Sequence, residues 1–114
     1  MLTLNLPFPP SVNSYWRMFQ NRMLISKAGR QYRKDVQDAV TLQLGNKQLG
    51  GALKVTIEAF RPDNRLRDID NLLKASLDGM THAGVYLDDS QITDLRIFWA
   101  EEKGGKLKVT IEKL

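Results

Sequence analysis

The sequence predicts an α/β fold of the α+β kind: a mixed sheet of about four strands with two main helices on one face, in the order β-α-β-α-β-β. Two kinds of period predict it. Four stretches alternate apolar with polar residues, as half-buried strands do, and two longer ones repeat apolar residues every three or four positions, as amphipathic helices do. Glycine and proline punctuate the gaps between them. The 114 residues suit one domain spanning 1–114, with neither an internal repeat nor a low-complexity segment.

Leu2, Leu4 and Leu6 mark the first strand, which Pro7, Pro9 and Pro10 end because proline lacks the ladder donor. Residues 11–25 read as a long, partly apolar loop, with Asn13 placed to hold it through backbone hydrogen bonds. Ser26 is the N-cap of a helix running to about Leu44, with Tyr32, Val36, Ala39, Val40, Gln43 and Leu44 tracing its inner side. Gly45, Gly50 and Gly51 mark the turn beyond. Leu53, Val55, Ile57 and Ala59 form the core side of the second strand. After the loop R-P-D-N-R-L-R-D, a second helix starts near Asp68 or Asp70, carries the stripe Ile69, Leu72, Leu73, Leu77 and Met80, and stops at Gly84. His82 is a C-terminal helix residue facing the last carbonyls. A third strand spans Ile92 to Ala100, with Leu95, Ile97 and Trp99 on one face and Trp99 in the core. A fourth carries Leu107, Val109 and Ile111. The turn 101–105 joins these two most simply as an antiparallel hairpin.

Composition narrows the chemistry. Without cysteine there is no disulfide, no thiolate catalysis and no cysteine-ligated zinc or iron–sulfur site. No apolar run is long enough to span a bilayer, and the N-terminus lacks the basic and apolar regions of a signal peptide, so we expect a cytoplasmic protein with no membrane partner. Seventeen Lys and Arg against thirteen Asp and Glu give a net charge of +4, compatible with nucleic acid and equally with mere solubility. The distribution says more. Arg22, Lys27, Arg30, Arg33 and Lys34 fall in one stretch, and Arg61, Arg65 and Arg67 flank an acidic cluster, so these eight are the candidate DNA-binding residues.

That cluster is Asp68 and Asp70, then Lys74, then the doublet Asp88-Asp89. Carboxylates gathered in a basic protein need a counter-charge, and a hard divalent cation supplies it with oxygen ligands. Magnesium takes one or two carboxylates and completes its shell with water and phosphate. Asp70 and Lys74, four apart, share a helix face, where the lysine can hold a phosphate oxygen or neutralise a leaving group. The doublet reaches the same point if strands 53–60 and 92–100 are neighbours. Plainer roles exist for each part. Asp68 or Asp70 can cap the helix, Asp70 and Lys74 can be a surface ion pair, and Asp88-Asp89-Ser90 can be a polar turn. Tyr15, Trp16, Met18 and Phe19 are unusually apolar for a loop and suit the core, a subunit interface or stacking on bases.

From P-F-P-P-S-V-N-S-Y-W through S-K-A-G-R-Q-Y-R to R-L-R-D-I-D-N-L-L-K-A and A-G-V-Y-L-D-D-S-Q, the chain resembles the RusA family of Holliday-junction resolvases over essentially its whole length. The combination D-x-D-N-x-x-K followed about fifteen residues on by L-D-D-x-Q is specific. The resemblance implies a homodimeric endodeoxyribonuclease of the prophage type. It binds four-way DNA junctions and resolves them by paired symmetric nicks, leaving 5′-phosphate and 3′-hydroxyl ends. It also implies dependence on Mg2+, with Mn2+ able to substitute, and no small-molecule organic cofactor. By matching position, the resemblance implies Asp68, Asp70 and Asp89 as the essential metal-binding acids, Asp88, the preceding acid of the doublet, as an assisting metal-binding residue, and Lys74 as the catalytic lysine. Asn64 and Leu66 interrupt what is a denser arginine run in the family, and Arg67 is the residue expected nearest the substrate phosphate. Two rivals remain: a non-catalytic DNA-binding architectural protein using the same basic surface, and a different metal phosphohydrolase acting on nucleotides or flaps.

Overall fold

A computed structural model describes residues 1–114 as a four-stranded mixed sheet with two helices on one face and a two-stranded ribbon beside them. In chain order the elements are strand β1 (Leu2–Pro7), the one-turn helix α1 (Val12–Tyr15), strands β2 (Trp16–Phe19) and β3 (Arg22–Ile25), helix α2 (Lys27–Gln43), strand β4 (Leu53–Arg61), helix α3 (Leu73–His82), and strands β5 (Ile92–Lys103) and β6 (Lys106–Lys113). Single 3₁₀ turns at Ile69–Leu72 and Asp89–Gln91 precede α3 and β5.

The alternating residues fall where their period requires. Leu4, Leu6, Leu53, Val55, Ile57, Ala59, Leu107, Val109 and Ile111 are all buried on the sheet face that receives Tyr32, Val36 and Val40 of α2 and Leu72, Ala75 and Met80 at the start and body of α3. Helix α2 begins as expected, with Ser26 Oγ accepting the Gly29 N–H at 3.0 Å. Gly29 is there for space: a Cβ would lie 2.6 Å from the Tyr15 carbonyl oxygen and 2.7 Å from Ile25 Cγ1. Gln43 is exposed, not inward. Its amide binds both backbone groups of Asn5 (2.8 and 2.7 Å) and so satisfies the free edge of β1.

The order in the sheet is β1-β6-β4-β5, which corrects the expected terminal hairpin. Strand β6 inserts between β1 and β4, antiparallel to both, and β5 lies beyond β4, parallel to it. The turn between β5 and β6 therefore passes over the end of β4. Pro62, without an N–H, follows β4, and the N–H groups of Gly104 and Gly105 bond the Arg61 carbonyl. Gly105 packs on Pro62 at φ +64°, a left-handed conformation that favours glycine. As the edge strand, β5 is only half covered, so Trp99 is half-buried: its ring stacks with Phe8 (6.5 Å) and lies under the Arg61 guanidinium (4.1 Å).

Residues 11–25 are not a loop. Ser11 caps α1, Ser26 Oγ donates to the Ser14 and Tyr15 carbonyls, and β2 and β3 form a hairpin. Two serines hold this segment; Asn13 is exposed and takes no part. Alternation is blurred in W-R-M-F-Q-N-R-M-L-I because one face of the ribbon is apolar and the other mixes arginine with Phe19 and Leu24. No helix of the fold is long and apolar enough to cross a membrane.

Candidate active site

Strands β4 and β5 are neighbours, so the condition for bringing the two acidic segments together is met. The chain leaves β4, turns through Asp68 and Asp70, runs along α3 and returns through Asp88 and Asp89 to start β5. Asp70, Lys74, Asp88 and Asp89 line one open cleft of about 410 Å3, together with Leu73, Leu77, Asp78 and Thr81. Leu73 and Leu77, expected in the core stripe, are half-buried walls of this cleft. Ala75, Ser76 and Gly79 take the inner face instead, because α3 packs closely on Val36 of α2.

Of the plainer structural roles, only that of Asp88 in the polar turn is filled. Asp68 stands at the N-cap position of the first 3₁₀ turn yet makes no side-chain cap bond. Asp70 and Lys74 do not pair within 4.0 Å. Asp89 forms no side-chain hydrogen bond, so Asp68, Asp70 and Asp89 keep their carboxylates free. Asp88 does serve the turn. It caps Asp89–Gln91 by accepting from the Ser90 N–H at 3.2 Å, and bonds from the Ser90 side chain and backbone hold its carboxyl below the usual range.

Gln91 fixes this loop with all its amide capacity. Its Oε1 accepts from the Leu87 and Asp88 N–H groups (2.8 and 3.0 Å), and its Nε2 donates to the Leu49 and Gly51 carbonyls (3.1 and 2.9 Å). The motif supplied this glutamine without its reason. Lys74 is placed by Trp16, whose ring centroid is 5.7 Å from Nζ. Asp78, one turn beyond Lys74, was legible from the same spacing of four but passed over. Its carboxylate accepts from Arg33 Nε (2.8 Å) and Nη2 (3.2 Å) and from the Tyr15 hydroxyl. Burial raises the Asp78 carboxyl, and the hydrogen bonds from Arg33 and Tyr15 outweigh it and hold it low. Tyr15, itself fully buried, is pushed up to about 12 by burial and by Asp78.

The structure does not bring everything together. Asp68 faces an adjoining depression lined by Phe8, Pro9, Ser11, Leu66, Arg67, Asn71 and Leu72. No three carboxylates enclose an ion-sized space. The donors are nonetheless all oxygen, exposed and beside open volume, which fits a hard cation that keeps water and takes phosphate as further ligands. The basic residues divide likewise. Arg22, Lys27, Arg30 and Lys34 are exposed, whereas Arg33 is committed to Asp78. Arg67 is held by both oxygens of Asp63 (2.7 and 3.1 Å) and lies 5.5 Å from the Phe8 ring centroid. Arg65 shares the same carboxylate, and Arg61 stacks on Trp99. Asp63, unremarked in the sequence, is thus the organiser of the basic loop. Arginine held by Asp63, and pulling on it, keeps that carboxyl far below its usual range.

An acidic, lysine-bearing cleft, with Arg67 in the adjoining depression, on a one-face-covered mixed sheet suits an enzyme that hydrolyses phosphodiesters. The family model of endodeoxyribonuclease RusA matches residues 7–112, and the chain belongs to that family. It is 41% identical to the crossover junction endodeoxyribonuclease of Enterobacteria phage 82 over 112 residues, covering 97% of this chain and 93% of the relative. Its identity to the protein of that name from Escherichia coli K12 is 39% over 113 residues (98% and 94% covered), and to that of Enterobacteria phage HK97 40% over 110 (96% and 92%).

Proposed function

We propose that this protein is a crossover junction endodeoxyribonuclease: it resolves four-way DNA junctions by paired symmetric nicks that leave 5′-phosphate and 3′-hydroxyl ends. The observation that carries this reading is that Asp70 and Asp89 share a cleft with Lys74 while none of the three is spent on a structural bond. Near-complete alignment with junction nucleases supports the same assignment.

Asp70 and Asp89 would hold magnesium or manganese in the cleft, with Asp68 added from the adjoining depression as the family resemblance implies and Asp88 beside them as the turn-forming acid. The bound metal supplies Lewis-acid activation of the attacking water and of the scissile phosphate. The chain's own residues do the rest. Lys74 neutralises charge accumulating on the phosphate oxygens. Trp16, whose ring centroid lies 5.7 Å from Lys74 Nζ, supports that ammonium in the cleft walled by Leu73 and Leu77. Arg67 and Arg65, pre-set by Asp63, receive the backbone on the Asp68 side. Arg22, Lys27, Arg30 and Lys34 extend the phosphate track. Arg33 is removed from that set because Asp78 already engages it.

A homodimer follows from the substrate. Two symmetry-related strands must be cut, and a two-fold pair of chains, each a single domain over 1–114, presents two clefts to them. The test is a labelled four-way junction against matched linear duplex, in magnesium and in EDTA. Symmetric nicks on the junction alone, lost in EDTA and in Asp70→Asn while junction binding survives, support the assignment. Retarded DNA without product in magnesium or manganese overturns it in favour of an architectural protein.

A further inference from the structure

The β2–β3 hairpin stands on the rim of the cleft, and its outer half has nothing packed over it. Its register pairs Trp16 with Ile25 and Met18 with Met23, so these four share one face. Trp16 and Ile25 anchor the base against the core. Met18 and Met23 at the tip are 62% and 61% exposed, and Phe19, on the opposite face, is 49% exposed. Gln20 and Asn21 both have positive φ (50° and 61°), the tight two-residue turn that makes such a ribbon a stiff projection. The Arg17 guanidinium lies 5.4 Å from the Phe19 ring centroid, and Arg22 is directly opposite Phe19 in the register. No acidic residue occurs before Asp35.

An apolar tip set between unpaired cations is complementary to a polyanion that also offers apolar faces. Nucleic acid does so wherever a base is not stacked on both sides, as at the branch point of a junction. A second copy of this chain suits the tip poorly, since a two-fold contact there would set Arg17 and Arg22 against their own like charges. The hairpin's base meets the cleft through Trp16 and Lys74, which fixes the tip's position relative to the scissile phosphate.

We propose that this hairpin recognises the branch: Phe19, backed by Arg17, stacks on a base face left open at the branch point, and Met18 and Met23 pack beside it. This deepens the junction-nuclease reading and rests on it. The experiment uses one junction with 2-aminopurine at the branch point and another with it in mid-arm, titrated in EDTA with wild type, Phe19→Ala and Phe19→Trp. Wild type changes the branch signal and leaves the arm signal alone. Phe19→Ala loses the branch change and binds the junction about 5- to 10-fold more weakly with duplex affinity unaltered, as loss of one stacking contact predicts; Phe19→Trp restores both. An undiminished branch signal in Phe19→Ala, with wild type still preferring the junction, overturns the inference and leaves the nuclease assignment standing. A dimeric wild type beside a monomeric Met18→Ser/Phe19→Ser protein also overturns it, since the tip then covers a second copy. A wild type with no preference for junction over duplex removes both readings.

Discussion

Lys74 and Trp16 are in contact across two elements far apart in sequence: the ammonium nitrogen of one lies 5.7 Å from the indole centroid of the other. Contacts of this kind contribute about 0.5–1 kcal/mol at exposed sites. Trp16→Leu is therefore expected to slow single-turnover junction cleavage about 2- to 5-fold. Junction affinity should be preserved, and Trp16→Phe should recover most of the rate. The upfield ring-current shift of the Lys74 side-chain resonances should vanish in Trp16→Leu, and its persistence would dissociate the pair.

Gln91 spends four hydrogen bonds on holding the acidic turn. Gln91→Leu leaves two backbone N–H groups and two carbonyls to find other partners. Asp89 then loses its fixed place beside Asp70. The expected result is a loss of kcat of roughly 10-fold or more, as for other residues that orient metal-binding groups, with KM for the junction nearly unchanged. Equal losses in binding and rate would point to general disorder of the loop.

The Tyr15–Asp78–Arg33 cluster ties α1, α2 and α3 together, and its titration contributes at both ends of the stability profile. Asp78 is held below its unfolded value near 3.8, so its contribution is complete above that value and is lost as pH falls through the lower folded one. Tyr15 is held above its unfolded value of 10.0, so its contribution is complete below pH 10 and is lost as pH rises through about 12. Urea midpoints across pH should show Asp78→Asn least stable relative to wild type near neutrality, with the gap closing below about pH 4. The gap to Tyr15→Phe should close above about pH 10.

Gly29→Ala should cost about 1–3 kcal/mol, the range for overpacking, because backbone on one side and Ile25 on the other cannot both yield. Gly45→Ala, where nothing lies within 4 Å but φ is +73°, should cost less, about 1 kcal/mol of backbone strain. Denaturant midpoints compare the two directly.

How much of this was legible differs by kind of information. Period gave faces: every buried residue of β4 and β6 was assigned correctly from alternation, and Ser26 identified the start of α2 from its chemistry alone. Period says nothing about neighbours, so the position of β6 between β1 and β4 was invisible. The only local hint was Gly104-Gly105 opposite Pro62. The cleft acids Asp70, Asp88 and Asp89 were legible as a cluster because they lie in two short segments. The residues that position it were not, since Trp16, Arg33 and Gln91 act through partners 58, 45 and 40–42 positions away. The hairpin was missed because strand alternation in it runs between apolar and cationic-aromatic faces, which simple hydropathy does not separate.

The interleaving of β6 governs when the molecule can exist as well as its shape. Until residues 106–113 have been synthesised, β1 and β4 have no partner between them and the helices have only a partial surface to pack on. The β1–β6 ladder joins residues about a hundred positions apart, from Pro7↔Lys106 to Leu2↔Ile111, so the growing chain meets a long loop closure before that ladder can form. A nascent or C-terminally shortened chain should therefore carry all the acids of the cleft and have no cleft. On this expectation, strand cutting waits on the last strand of the sheet.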